Sequence, residues 1–365
     1  MNDRSALRVL LVAKGLDIGG IERMVVDLAN ALERHGAEVH VAVVNDRRDA
    51  LMGQLQLPAD QVHRLGGTDH MGWRSVRALA RLVRSDKIDV VHVHGPLPAV
   101  VVRLTPRRRP IVTTSHTPLQ ALHPVTRLAW RLTARLDATS IAVSAAVASS
   151  MPTSIADRMQ VIPHALDVNA VEAARATALE RTDGRVRLVT VASHRGAKNY
   201  PNLLHAVQLA LGKGADISLV AVGDGPDLER HRALASELGL AEVVEFRPST
   251  HDVLRVIAGA DLLVVASDYE GQPLVVMEAL ALGVPVVATA VGRVPELVTP
   301  AVGRVVAPGD PEALATAIAE LALDPEQLKM LAHSTTQSVG TWTLDEVAKA
   351  HVGVYQRITT ESHEH

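Results

Sequence analysis

Short apolar runs alternate with amphipathic stretches along most of the chain. RVLLVA (8–13) precedes IERMVVDLANALERHG (21–36), whose apolar positions recur at helical spacing, and VHVAVV (39–44) follows. RSVRALARLVRSDK then leads into VVHVHG, with IVTTSH, the helical VTRLAWRLTARLDA and SIAVS after it. Runs that are apolar at consecutive positions predict strands buried on both faces, and the helices between them predict a parallel sheet. This series ends near VIPHALD (161–167). A second begins at VRLVTVA (186–192) and continues through PNLLHAVQLALGKG, ISLVAVGDG, VVEFRP, DLLVVAS and PVVAT. The pattern predicts two doubly wound, Rossmann-like α/β domains facing across a cleft. Their expected bounds are 1–170 and 186–343, joined by a polar, alanine-rich linker at 171–185, with an amphipathic helix at 344–360 returning to the first domain. In such folds ligands bind outside the carboxyl ends of the strands.

Composition narrows the class. A length of 365 residues suits two cores better than one. A net charge of −3 provides no global field toward nucleic acid, so no nucleic-acid partner is expected. The absence of cysteine excludes a disulfide scaffold and thiol chemistry, and it suits a reducing cytosol. MNDRSALRVLLVAKG lacks the long apolar region of a signal peptide. The longest apolar stretch, 273–292, is broken by Glu278, Pro285 and two glycines, so no membrane span is expected and the chain reads as soluble and cytoplasmic.

The chemistry is concentrated at predicted strand ends. In KGLDIGGIERMV, Gly19 and Gly20 stand just before a helix, where free N–H groups and the helix dipole suit phosphate or another anion. Two such glycines are as often only a turn, and the G-x-G-x-x-G spacing of a dinucleotide site is absent, which disfavours an NAD oxidoreductase. In SHRGAKNYPNLL, Lys198 lies just past a strand, in reach of a pyrophosphate, with Arg195 close by; the plainer reading is a solvated loop lysine. His92 and His94 in VVHVHG and His116 in VTTSHTP follow strand ends. No carboxylate at metal-ligand spacing accompanies them and no Asp-x-Asp pair occurs, so no metal is expected.

EGQPLVVMEALALGVPVVAT (270–289) raises the sharper question, since it sets Glu270 and Glu278 into a strand–turn–helix–strand unit that is otherwise apolar. A buried carboxylate is costly unless something pairs with it. Carboxylates accept charge-assisted hydrogen bonds from vicinal hydroxyls, and the N-terminus of the helix opened by Pro273 offers N–H groups to phosphate. A nucleotide sugar, with hydroxyls on both sides of a diphosphate, would satisfy both.

That segment resembles the Glu–seven residues–Glu motif of retaining glycosyltransferases of the GT-B fold, family 4. GGIERMVVDLANALERHG, DVVHVHG, HTP, IAVS, VIPHALD, KNYPNLLHA, VGDGPDLERHRALASELGL, ADLLVVASDYEG and GRVPELV resemble further landmarks of that family, in order, over nearly the whole chain. The resemblance implies that Glu270 holds donor-sugar hydroxyls, that Glu278 holds the ribose, and that Lys198 neutralises the departing diphosphate. It implies that Gly19 and Gly20 bring backbone close to the phosphates and acceptor, and that His116 contacts the donor sugar or the reacting centre, with His94 beside it. Backbone around Arg247 and Pro248 would meet the nucleobase, and amides near Gln272 to Val275 (those of Gln272, Leu274 and Val275, with Pro273 between them) would hold sugar and diphosphate. The implied reaction is metal-independent, front-face transfer with retention. UDP-sugar is the first donor expected and GDP-sugar the second, with no further cofactor.

Three positions depart from the family pattern. Ser193 stands where an arginine is common, with Arg195 as a substitute; Gly271-Gln272-Pro273 replaces the usual Gly-Phe-Gly; His164 stands where asparagine is frequent. Two rival readings stay open: an epimerase or hydrolase on the same fold, and a non-catalytic nucleotide-sugar-binding partner subunit. The acceptor reads as small or lipid-linked. Arg74, Arg77, Arg81 and Arg84 fall on one helical face, and Arg127, Arg131 and Arg135 form a second stripe around Trp130. Such stripes can dock a protein peripherally on anionic lipid, although a solvated basic face is the commoner use.

Overall fold

The computed structural model describes residues 6–68, 71–106, 109–177, 184–338 and 343–363. The described residues form two compact units: one runs to Ala165 and includes the last helix, and the other begins at Leu166.

The first unit is built on β1 (Arg8–Ala13), β2 (Glu38–Asn45), β3 (Val62–Gly67), β4 (Val90–His94), β5 (Ile111–Ser115), β6 (Thr139–Ala142) and β7 (Met159–Val161). They make a seven-stranded sheet in the order β3-β2-β1-β4-β5-β6-β7, parallel throughout. The consecutive apolar residues of β1 serve both faces. Val9 and Leu11 meet Val25, Leu28 and Leu32 of the helix Gly20–Arg34, whereas Leu10 and Val12 meet Leu79, Val83, Ala99 and Val102 from the opposite side. Burying each such side chain contributes about 1.5–3 kcal/mol before entropy is counted. The last helix, Leu344–His363, lays Val347, Val354, Tyr355 and Ile358 on the Gly20–Arg34 side.

The second unit repeats the plan with β8 (Val186–Val191), β9 (Ile217–Val222), β10 (Val244–Arg247), β11 (Leu262–Val265), β12 (Val286–Thr289) and β13 (Gly303–Val306). Its six-stranded parallel sheet has the order β10-β9-β8-β11-β12-β13. Each sheet reverses its strand order once, between β1 and β4 and between β8 and β11, and the crevice at that reversal is where doubly wound sheets take ligands.

The expected linker differs from what is observed. Val168–Ala176 is a helix, capped by Asp167 Oδ1 accepting from the Asn169 and Ala170 amides at 3.0 and 3.2 Å. Its Val171 and Ala174 are buried against Ile257, Val276 and Leu280, so this helix belongs to the core of the second unit. Its alanines made it look like a spacer, but at helical spacing they let two helices pack closely. The rest of the expected linker lies partly in residues 178–183, outside the described residues.

Candidate functional site

In the second unit the loops after β8 and β11 flank the reversal of strand order, and they bring together two of the residues singled out from sequence. Lys198 Nζ donates to Glu270 Oε1 at 2.6 Å, and the Ser267 hydroxyl donates to the same oxygen at 2.7 Å. Both partners of the ion pair are partly buried, so the buried-carboxylate question at Glu270 has an answer within the chain: a lysine 72 positions earlier in sequence. The two loops are tied again next door. Asn199 Nδ2 donates to Asp268 Oδ1 at 2.7 Å, and the Asp268 amide donates to the Ala197 carbonyl at 2.9 Å. Asn199 has φ +45° and ψ +51°, the left-handed region that non-glycine residues seldom occupy, and its side chain caps the helix Tyr200–Gly212 by accepting from the Asn202 amide. Backbone held in that region immediately beside Lys198 fixes where the lysine leaves the chain.

The Glu270 loop is clamped from its other side. Gly292 has φ +53°, and a Cβ there would collide with the carbonyl oxygens of Glu270 and Gly271. The Arg293 amide donates to Gly271 O at 3.1 Å, and the Thr289 hydroxyl donates to Ser267 O at 2.6 Å. Pro273 is the N-cap of the helix Leu274–Leu282, Gln272 is buried with its amide toward Met277 Sδ, and Glu278 is half-buried on the same helix. Leu274 and Val275 form its first turn.

The loop carrying Ser193 and Arg195 rests on the Gly223-Asp224-Gly225 turn. A Cβ at Gly223 (φ +153°) would strike the Ala192 carbonyl. The His194 amide donates to Asp224 O at 3.0 Å, and Ser193 is half-buried while Arg195 is exposed. Arg247, at the end of β10, is forked onto Glu245 by two 2.7 Å bonds, and its carbonyl accepts from the Gly223 amide at 3.0 Å. Each partner stabilises the charged form of the other, raising the guanidinium pKa and lowering the carboxyl pKa. Arg247, Pro248, Thr250, Asp252 and Val256 line a cavity of about 360 Å³ at the carboxyl ends of β9 and β10.

In the first unit the histidines fall together, but as a buried column. His92 Nδ1 bonds the Tyr355 hydroxyl at 2.6 Å and its Nε2 bonds Thr114 Oγ1 at 2.7 Å, so His92 ties the sheet to the last helix. His94 Nδ1 lies 3.2 Å from His116 Nε2, and His116 stacks on His164 with centroids 5.4 Å apart. Burial holds His92, His94 and His116 well below the usual imidazole pKa, and it brings His351 to about 4, so all four are neutral at pH 7. His94 Nε2 and His116 Nδ1 are buried without a hydrogen-bond partner. Among the described residues no group of three or more His, Cys, Asp or Glu is placed to hold a metal ion.

Gly19 and Gly20 begin the helix Gly20–Arg34, as the sequence implied, but the N-terminus already faces a carboxylate. A Cβ on Gly19 would collide with Glu22 Oε2. Burial, then the nearby Asp17, raise the Glu22 pKa. Glu22 was not singled out from sequence. Nor were Ser267, the Asn199–Asp268 bond, or the cluster in which His194 Nδ1 meets His231 Nδ1 at 2.9 Å and stacks on Tyr200 at 4.0 Å. Only NYP after Lys198 carried a local signal, an asparagine cap followed by proline. The Arg127–Arg135 stripe is also revised. Trp130 is 2% exposed, packed against Ala134, Val143 and Val147 with the Arg103 guanidinium 5.2 Å from its ring.

Two families together match nearly the full length: Glycosyltransferase Family 4 over residues 18–170 and Glycosyl transferases group 1 over 175–338. The chain belongs to the family 4 glycosyltransferases of the GT-B fold. The transferase is 28% identical over 316 residues to an MMP alpha-(1->4)-mannosyltransferase of Mycolicibacterium hassiacum, covering 78% of this chain and 74% of that one. It is 37% identical over 145 residues to a GDP-mannose-dependent alpha-(1-6)-phosphatidylinositol monomannoside mannosyltransferase of Mycolicibacterium smegmatis, covering 36% and 37% of the two chains. In fold it is similar to Anabaena Alr3699/HepE in complex with UDP and glucose, with TM-score 0.82 and 20% identity over 96% of this chain and 100% of that one. No described helix of the transferase is long and apolar enough to cross a membrane.

Proposed function

We propose that the transferase moves a hexose from a nucleoside-diphosphate sugar to a hydroxyl acceptor, with retention at the anomeric carbon and without a metal ion. The observation that carries this reading is the 2.6 Å Lys198–Glu270 pair at the point where the second sheet reverses its order. A lysine and a carboxylate that satisfy each other can be drawn apart by a ligand that offers a diphosphate to one and sugar hydroxyls to the other. Ser267 keeps Glu270 oriented through that exchange. As the bond between the anomeric carbon and the diphosphate oxygen breaks, its electron pair leaves with the diphosphate. The acceptor oxygen bonds the carbon from the same face, and its proton passes to the leaving oxygen. Lys198 and the first amides of the helix Leu274–Leu282 stabilise the growing negative charge, which is why no metal is invoked. Glu278 takes the ribose hydroxyls, and the cavity beside Arg247 and Pro248 takes the base. His116 keeps the contacting role implied by the resemblance.

The relatives' names divide on the base, one naming GDP-mannose and the fold neighbour UDP. One titration addresses both points: the melting midpoint of the transferase with UDP, GDP, ADP, dTDP and NAD, with Glu278→Ala as control. A ligand that binds only the folded state raises its stability according to its concentration over its Kd. The reading expects one nucleoside diphosphate to raise the midpoint and the control to lose the shift. A shift with NAD alone would refute it. A shift without sugar transfer to any hydroxyl acceptor would favour the partner-subunit reading that Ser193 suggests.

A further inference from the structure

We propose that the outer face of the helix Pro124–Thr133 is a docking surface for an anionic lipid bilayer. On this helix Trp130 and Thr133 turn inward, while Val125 (70% exposed), Leu128 (60%) and Leu132 (65%) face solvent. At 3.6 residues per turn these three fall within an arc of about 60°. Leu136, just beyond, and Leu104 and Leu97 on the helix Pro96–Leu104, which packs beside it, are exposed as well. A soluble helix normally puts its largest aliphatic residues into the core. Here the core side is already filled by Trp130, so the aliphatic ridge is left over.

The charge around the ridge selects the partner. From residue 90 to residue 136 the sequence holds no aspartate or glutamate and seven arginines, of which Arg103 is buried and Arg109 pairs with Asp86. Arg131 and Arg135 are exposed along one flank of the ridge. Asp137, the first carboxylate after that run, is buried and bound by Arg103 through bonds of 2.8 and 2.5 Å, so it does not offset the surface charge. Aliphatic side chains beside arginines, with no acid among them, match the acyl boundary and anionic headgroups of a membrane surface. The other arginine stripe lacks the apolar half of this arrangement. On the helix Trp73–Val83, Leu79 and Val83 are buried and only Trp73 stands out, with the Arg77 guanidinium 5.0 Å from its ring. The ridge, more than the arginines alone, therefore identifies the docking face, and the inference stands whether or not the donor reading holds.

The test is flotation of the full chain with vesicles of mixed phosphatidylglycerol and phosphatidylcholine, against phosphatidylcholine alone, beside the variants Leu128→Ser/Leu132→Ser and Arg131→Gln/Arg135→Gln. All four side chains are exposed, so both variants should keep the wild-type circular dichroism and melting midpoint. The proposal expects binding to the mixed vesicles only, weakened about tenfold or more by either variant, with the salt dependence reduced in the arginine variant. It is overturned if the wild-type chain floats with neither vesicle, or if both variants bind as well as wild type. It is also overturned if sedimentation shows a dimer that the leucine variant dissociates while vesicle binding is absent, since the ridge would then join two copies of the chain.

Discussion

The two units share a strand order and differ in what stands at its point of reversal. In the first, β4 beside the reversal ends in His94, which meets His116 just past the neighbouring β5; burial keeps both uncharged, and each leaves one ring nitrogen unpaired. In the second, the loops past β8 and β11 hold a full ion pair, partly open to solvent, braced by a residue in the left-handed region. The first unit does bury a charge pair, Arg103–Asp137, but places it among Thr113, Thr133 and Ser140, under the helix Pro96–Leu104. Similar scaffolds thus spend buried charge differently. One locks it into the core, where both carboxylate oxygens accept from Arg103 and one also from Ser140. The other leaves it where a ligand can compete for it.

That contrast makes Asp137→Ala the most damaging change. It leaves the Arg103 guanidinium buried without its carboxylate, and should cost about 3–5 kcal/mol in a denaturant titration. Lys198→Ala should instead leave the fold intact and lower kcat about 10²–10³-fold, as loss of one charge-stabilising donor does. If Lys198→Ala melted the second unit as severely as Asp137→Ala melts the first, the pair would be structural and the contrast would fail.

Acid should also separate the units. A buried histidine with a depressed pKa stays neutral while its unfolded counterpart takes up a proton below about 6.5. The unfolded state then binds more protons, so stability is fully present above that pH and declines as pH falls toward the folded pKa. Each such histidine contributes up to about 1.4 kcal/mol per pH unit across that window. For His351 and His194 the window closes near 4; for His92, His94 and His116 it extends lower. Hydrogen exchange between pH 7 and pH 4.5 should show the first unit losing protection before the second. Equal loss would mean that the histidine column does not set its acid limit. The smallest expected effect is that of Asn199→Ala, which removes a cap and the tie to Asp268 and adds strain at positive φ, for about 1–2 kcal/mol of stability in the second unit.

Much of this was legible in the sequence because strands buried on both faces must be continuously apolar, and because Pro273 stands at a helix start, where a missing N–H costs nothing. The Glu270 and Lys198 landmarks could be named for the same reason, each lying just past a strand that the pattern defines. What the sequence did not disclose depends on meetings between distant residues. Nothing local says that Lys198 closes on Glu270, or that His194 meets His231, 37 positions away. Nor could periodicity decide which side of VTRLAWRLTARL faces inward, because that helix is apolar on two sides and packing chose Trp130. Helix 168–176 failed as a linker for a related reason: alanine is equally at home in a spacer and in a tight helix contact.

The clamp at Gly292 has a practical consequence for anyone reshaping the enzyme. Because that residue and the Arg293 amide grip the main chain of Glu270 and Gly271, the path of that loop is set from the backbone, while the Ser267 hydroxyl orients the carboxylate itself. Gln272 and Pro273 follow directly, Gln272 with its amide toward Met277 Sδ. If Glu270 holds the donor sugar as proposed, substitutions at 272 and 273 should alter sugar choice without moving that loop, provided position 292 is left without a side chain.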